Sequence, residues 1–258
     1  MLEQELKVAS KASREAGKIM LKYFRKKFFV KKKGRIDIVT QADLESERKI
    51  HEIISKSFPR DSFLEEESGK SGDSDDRVWI VDPIDGTINF AHGVPWFCSS
   101  IALLVDGEPV LGAAFNPITG DFFHAVKGRG AFWNEKKISV SKNTELIECV
   151  LATGFPYERG ELAAKTIQGI SNLIGETQGI RQCGSAVLDL CLVAAGSLDG
   201  YFEHKLFPWD AAAGILVVGE AGGTVTDFSG KKATPFSEAF VASNGLIHEK
   251  LLKHLVKP

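Results

Sequence analysis

The stretch Val78-Trp79-Ile80-Val81-Asp82-Pro83-Ile84-Asp85-Gly86-Thr87-Ile88-Asn89-Phe90 constrains this chain more than any other. Its first four residues are apolar, rich in β-branching and too few for a buried helix, so they predict a short buried strand. The strand leads into two carboxylates, Asp82 and Asp85, with Pro83 between them and Gly86 just behind. A residue before proline is driven to extended geometry, and glycine permits a tight backbone path. Such a turn can aim both carboxylates at one point. Like charges held together call for a cation, and hard oxygen ligands suit Mg²⁺. For a bare D-P-x-D segment the plainer alternative is a surface turn with a capping aspartate.

The wider sequence favours the first reading. Trp79 to Phe90 resembles the metal-binding signature of the inositol monophosphatase family. Trp209-Asp210-Ala211-Ala212-Ala213-Gly214 is similar to that family's W-D-x-A-A-G signature, and Glu65-Glu66-Glu67-Ser68 to its acidic G-E-E-S segment. The three occur in family order, and the similarity runs from the first helix to near the C-terminus. The resemblance implies a Mg²⁺-dependent, lithium-sensitive phosphatase acting on small phosphate monoesters, commonly as a homodimer.

Composition is consistent with this and excludes other classes. Hydrophobic residues at 43% and charged residues at 26% of 258 positions are ordinary for a soluble enzyme with a substantial core. A net charge of −2 supplies no electrostatic argument for nucleic acid or an anionic membrane. No apolar run approaches the length of a transmembrane helix, and the N-terminus lacks a signal-peptide pattern. Cys98, Cys149, Cys183 and Cys191 form no C-x-x-C pair, which fits buried thiols in a reducing cytoplasm better than a disulfide framework or a zinc site.

Along the chain, apolar residues at Leu2, Leu6, Ala9, Ala12, Ala16, Ile19, Met20, Tyr23 and Phe24 predict one long amphipathic helix. The basic stretch Arg25–Arg35 and the alternation of Ile36 to Thr40 predict a solvated hairpin turning at Gly34. Asp43 opens the next helix, which ends before Pro59, and its carboxylate suits a helix start. From Phe97 to Val140 short strands alternate with turns such as Asp106-Gly107 and Asn116-Pro117, an antiparallel meander. Beyond residue 145 strands and helices alternate. Strands are expected at Cys149–Thr153, Ile180–Cys183, Leu198–Glu203, Gly223–Phe228 and Ala239–Ser243. Helices are expected at Glu161–Ile174, Ala186–Ala195 and Ala211–Ala221, with a closing helix through Leu251 and Leu255. Gly128-Arg129-Gly130 lacks a dinucleotide context and Gly230-Lys231-Lys232 is no Walker A loop.

The expected fold class is α/β of mixed α+β character, and the resemblance implies a layered α-β-α-β-α sandwich. The chain reads as one compact catalytic unit, 1–258. Residues 1–144 form a metal-site half, and residues 145–258 an α/β half contributing the substrate rim and Asp210.

Hydrolysis of a phosphate ester needs an activated water, neutralised phosphate charge and a stabilised leaving alkoxide, and two-metal sites supply all three. The resemblance implies that Glu66, Asp82 and the Ile84 carbonyl bind a first Mg²⁺. Asp82, Asp85 and Asp210 bind a second, and a third, weaker site lies near Glu66. The family's usual glycine is Glu65 here, which leaves a one-residue choice between Glu65 and Glu66 as the ligand. The mechanism expected from this resemblance is direct attack by water, without a phospho-enzyme, with Thr87 oriented by Asp43 taking the water's hydrogen bond or proton. Gly86 and Thr87 backbone N–H groups hold phosphate oxygens. Glu203 matches the glutamate that binds inositol hydroxyls, and Gly184-Ser185-Ala186 the segment near the sugar. On residue type alone, Glu203 is a strand-end charge and Ser185 an N-cap. Lys32 stands in register to bias the site toward anions, and Arg159 and Arg181 are placed to meet a second phosphate. The six histidines are dispersed and read as structural or solvent-facing.

The leading reading is an inositol-phosphate phosphatase. Fructose-1,6-bisphosphatase or dual-specificity activity is the chief alternative, and histidinol-phosphatase or 3′-nucleotidase activity would use the same metals. A phosphate-binding scaffold without turnover would be marked by a lost ligand, and every carboxylate of the pattern is present.

Overall fold

Helical spacing of apolar residues at the N-terminus becomes α1 (Glu3–Tyr23), which buries Ala9, Ala12, Ala16 and Met20. The computed structural model describes residues 2–27, 29–34, 36–157 and 160–255. After α1 comes the expected hairpin, β1 (Val30–Lys32) antiparallel to β2 (Ile38–Thr40). Helix α2 (Gln41–Ser57) starts two residues earlier than Asp43: Thr40 is the N-cap, and Asp43 closes a capping box from the third helical position.

Strands β3 (Ser62–Glu65), β4 (Gly69–Ser71) and β5 (Arg77–Asp85) follow, then the short α3 (Thr87–Ala91). Here the sequence expectation is corrected. The strand does not stop at Val81 but runs on through Pro83 to Asp85. Pairing with the next strand passes from Asp82↔Ser100 to Asp85↔Cys98, so an extra β5 residue bulges out, where a proline without an N–H is tolerated.

The meander is present as β6 (Cys98–Val105), β7 (Glu108–Asn116), β8 (Asp121–Val126), β9 (Gly130–Trp133) and β10 (Lys136–Ile138). It joins an eight-stranded sheet of order β10-β9-β8-β7-β6-β5-β3-β4, in which only β3 and β5 are parallel. The remainder comprises β11 (Val150–Thr153), α4 (Glu161–Leu173), β12 (Gly179–Arg181), α5 (Ala186–Ala194), β13 (Gly200–His204), α6 (Pro208–Glu220), β14 (Thr224–Thr226), β15 (Ala239–Ser243) and α7 (His248–His254). Its five strands form a mixed sheet of order β12-β11-β13-β15-β14.

Three apolar interlayers stack these elements into α-β-α-β-α order. Helices α1 and α2 cover one face of the large sheet through Met20, Ile50, Ile54, Trp79, Phe97 and Leu111. On its other face α5 and α6 fill the space between the two sheets with Leu188, Leu190, Val217 and Val218, which pack with Tyr201 of β13. Helices α4 and α7 close the outer face of the small sheet over Phe202, Val241 and Leu251. The middle helices are apolar all round because both faces are buried. Their N-termini, at Ser185 and Phe207, come together beside the β5–α3 corner. No helix among the described residues is long and apolar enough to cross a membrane.

Candidate active site

The β5–α3 corner is held by its own backbone. Asp82 Oδ1 accepts the Ile84 N–H at 2.9 Å, which braces the bulge. Gly86 follows at φ 96°, and a Cβ there would lie 3.1 Å from the carbonyl oxygens of both Gly184 and Trp96. Only glycine permits this approach and this dihedral. Thr87 then opens α3, and its hydroxyl lies 2.9 Å from the Ile84 carbonyl and 3.1 Å from Asp43 Oδ1. Asp43 is fully buried, and its other oxygen receives the Thr40 N–H at 2.7 Å and the Thr40 hydroxyl. Asp43 therefore closes the cap of α2 with one oxygen and meets the Thr87 hydroxyl with the other.

Two helix starts complete the corner. The Ser185 hydroxyl donates to Asp85 Oδ2 at 2.5 Å while accepting the Leu188 N–H at 3.3 Å, so it caps α5 and fixes Asp85 together. The Val187 N–H reaches the same carboxylate oxygen at 2.8 Å. Asp210 accepts the Phe207 N–H at 2.8 Å from the first turn of α6. One carboxylate oxygen each from Asp82, Asp85 and Asp210 then lies within 4.8 Å of the others.

Uncompensated, this cluster resists ionisation. Burial, followed by the Glu66, Asp85 and Asp210 charges, holds Asp82 well above the usual carboxylate range. Burial and the Asp85 charge do the same to Asp210. Burial pushes Asp85 up to about 6 against the opposing bonds from Ser185 and Val187, and Asp43 up to about 7 against those from Thr40. An all-oxygen donor set that strains toward neutrality in the absence of positive charge fits a hard divalent cation.

The acidic segment divides by direction. Glu65 is buried against α2, 2.9 Å from His51 Nδ1, and faces away from the cluster. Glu66 is a charge that helps to raise the Asp82 pKa, and it lies 2.9 Å from Lys33 Nζ. Glu67 meets the same ammonium at 2.6 Å, and burial together with Glu66 raises its pKa to about 8. Of the two candidates, Glu66 is the one whose charge bears on Asp82. Lys33, and not Lys32, is the lysine that reaches Glu66; Lys32 is exposed on β1. In a three-residue exposed strand no burial pattern marks which lysine turns inward.

Above the cluster opens a cleft of about 280 Å³. Gly86, Gly184, Ser185, Ala186, Glu203 and Asp210 line it, whereas Thr87, which is buried, does not. Glu203 is more than a strand-end charge: it is buried and accepts the Tyr201 hydroxyl. A Cβ on Gly154 would fall 2.0 Å from its carboxylate, so that glycine makes its room. Arg181 is exposed on β12 and does not line the cleft; Arg159 lies outside the described residues.

Sequence reasoning passed over several groups. Asn89 ties the corner to the 183–185 loop by donating to the Trp96 and Cys183 carbonyls at 2.7 and 2.8 Å. Asp189 borders the cleft from α5, 1% exposed and with one oxygen lacking a hydrogen-bond partner. Tyr157, Lys205 and Phe207 form part of the rim. Asn89 stood inside a quoted motif; the others carry no local signal. The histidines are structural as expected where bonds are seen: His248 joins Thr226 to Ser243, and His204 stacks on Phe228.

The model of the inositol monophosphatase family matches residues 1–257. The chain is 44% identical to a fructose-1,6-bisphosphatase/inositol-1-monophosphatase of Thermotoga maritima over 86% of its own length and 84% of that protein's. It is 40% identical to Nus factor SuhB of Pasteurella multocida, covering 97% and 95% of the two chains. A crystal structure of extragenic suppressor protein SuhB from Bartonella henselae superposes with a TM-score of 0.95 at 40% identity, covering 99% of each chain. The chain belongs to the inositol monophosphatase family. It is accordingly an enzyme of the phosphatase class, a phosphoric monoester hydrolase.

Proposed function

We propose that this enzyme hydrolyses inositol monophosphate to inositol and phosphate with the help of two to three Mg²⁺ ions. The observation that carries the reading is the convergence of Asp82, Asp85 and Asp210 at the floor of a cleft whose far wall holds Glu203. Glu66, Asp82, Asp85, Asp210 and the Ile84 carbonyl would hold the cations. That carbonyl lies 2.9 Å from the Thr87 oxygen, and with the hydroxyl proton directed to Asp43 its lone pairs remain for a cation. Bound there, Mg²⁺ would acidify a water and offset the charge of the phosphate and of the leaving oxygen.

The chain's own groups do the remainder. Thr87, anchored between Asp43 and Ile84, stands to accept a proton from the attacking water as it passes its own to Asp43 Oδ1. With a pKa raised by burial to about 7, Asp43 can hold that proton at neutral pH. The N–H groups of Gly86 and Thr87 open α3 and have no acceptor within it, so they suit phosphate oxygens. Glu203, oriented by Tyr201, accepts hydrogen bonds from substrate hydroxyls.

Fructose 1,6-bisphosphate is the second reading. It is supported by the activity for which the Thermotoga maritima relative is named and by Lys205 on the cleft wall, where a second phosphate would need a cation. We take the working form to be a homodimer, as the resemblance implies. A reducing, cytoplasmic setting accords with four free cysteines. The test is phosphate release from inositol 1-phosphate and fructose 1,6-bisphosphate with Mg²⁺, against an EDTA control. Mg²⁺-dependent turnover carries the proposal, and the ratio of kcat/KM assigns the substrate. No turnover of either overturns it.

A further inference from the structure

We propose that Phe207 is a stacking platform that gives the enzyme added affinity for a further class of phosphate monoesters, those whose leaving group carries a planar ring. The proposal rests on the phosphatase reading and adds a specificity determinant to it. Single exposed apolar residues are common on any surface. Phe207 differs in being one of three that share the catalytic cleft: Ile88, Tyr157 and Phe207 are 37%, 46% and 45% exposed, and all line it. The cleft thus combines a carboxylate floor with an apolar mouth, the division of labour of small-molecule sites that bind one charged and one apolar portion.

Phe207 is also held in place. Its ring stacks on Trp209 with centroids 5.1 Å apart and planes 14° from parallel, and the residue, 45% exposed, lines the cleft. Its N–H donates to Asp210 Oδ2 at 2.8 Å, its carbonyl accepts the Asp210 N–H at 3.1 Å, and Pro208 follows directly. The residue that presents the ring is therefore tied to the carboxylate that faces the phosphate. A ring ordered beforehand loses little freedom when a ligand stacks on it, so most of the contact appears as affinity. A polyol leaving group has no planar apolar face to offer and gains less.

The reaction is unchanged: water oxygen forms the new bond to phosphorus, the bond from phosphorus to the leaving oxygen breaks, and that oxygen takes a proton. Phe207 touches only the departing group, so its effect falls on KM more than on kcat.

The experiment compares 1-naphthyl phosphate with inositol 1-phosphate, in Mg²⁺, for the wild type, Phe207→Ala and Phe207→Tyr. For Phe207→Ala the KM for the naphthyl ester, taken relative to that for inositol 1-phosphate, rises about 5–50-fold. Phe207→Tyr, which keeps the ring, restores the ratio. Equal changes for both esters, or no change, overturn the proposal. Calorimetric binding separates this outcome from failure of the phosphatase reading. Phenylphosphonate, which is not hydrolysed, binds the Mg²⁺-loaded wild type more tightly than methylphosphonate does, and Phe207→Ala removes that preference. If the preference is seen without turnover of any ester, the platform stands and the phosphatase reading falls. If the wild type shows no preference, the platform falls.

Discussion

The ammonium of Lys33 lies 2.9 Å from Glu66 Oε1, so a side chain from the β1–β2 hairpin holds a carboxylate assigned to the metal cluster. The same nitrogen reaches Glu67 at 2.6 Å. Burial alone would lower the Lys33 pKa, but the Glu66 charge and the bonds to both carboxylates outweigh it and raise the value. Glu47 on α2 fixes the segment from behind by accepting the Glu67 N–H at 2.7 Å and the Ser68 hydroxyl. Lys33 thus stands where added positive charge is needed.

On the proposed ligand set, Lys33 and a cation at Glu66 would compete for one carboxylate. Lys33→Met keeps most of the stem and removes the charge. The Mg²⁺ concentration for half-maximal binding should fall several-fold in calorimetric titration. The metal-free protein should lose about 1–3 kcal/mol in urea denaturation, the cost of leaving a buried charged group without its partner. An unchanged Mg²⁺ midpoint would mean that Lys33 and the cation do not exclude each other.

Acid titration of the site sets an unusual pH dependence. Burial raises Asp43 to about 7 and Asp85 to about 6, so both bind protons more tightly folded than unfolded. Their contribution to stability is fully present below pH 4 and is lost as pH rises through 6 and 7. In EDTA the melting temperature should therefore decline by roughly 8–15 °C between pH 5 and pH 8 from these groups. Mg²⁺, which binds the ionised form, should stabilise more at pH 8 than at pH 5. Thermal melts over this range with and without Mg²⁺ check the sign, and an equal Mg²⁺ effect at both pH values contradicts it.

Ser185 links helix capping to the site, since its one hydroxyl serves Leu188 and Asp85. Ser185→Ala should lower Mg²⁺ affinity or activity about 10–100-fold, the usual loss when a ligand loses its support. It should also cost about 1 kcal/mol of stability as a lost N-cap. Ser185→Thr can make both bonds and should recover most of each. Calorimetry and denaturation separate the two effects; a loss confined to stability would leave Asp85 independent of its serine.

The order of elements and the carboxylates of the cluster are legible in the sequence because each has a local signal. Periodicity marks α1, alternation with glycine turns marks the meander, and Asp82, Asp85 and Asp210 stand in short fixed motifs. What escapes is what depends on distant partners. Pro83 reads as the end of a strand, and only the pairing with β6 turns it into a bulge. The choice between Lys32 and Lys33 is a one-residue register in an exposed hairpin. Asp189, Tyr201 and Phe207 acquire their positions only when α5, β13 and α6 are packed around the cleft.

Thr87 gives the sharpest test of the proton path. Its hydroxyl is held at 3.1 Å from Asp43 and 2.9 Å from the Ile84 carbonyl, and burial keeps water from substituting for it freely. Thr87→Val preserves the shape and removes only the hydroxyl. If Thr87 handles the proton of the attacking water, kcat should drop about 10²–10⁴-fold. Because its side chain is not among the assigned ligands, the Mg²⁺ midpoint should move little. Asp43→Asn leaves Thr87 a neutral acceptor that cannot take up the proton, so it should lower kcat to a similar degree. The double variant should then be little worse than either single one, since both interrupt one path. Rates at saturating substrate, with Mg²⁺ binding measured separately, decide the matter. Multiplying losses in the double variant would show that Thr87 and Asp43 act independently and that no proton passes between them.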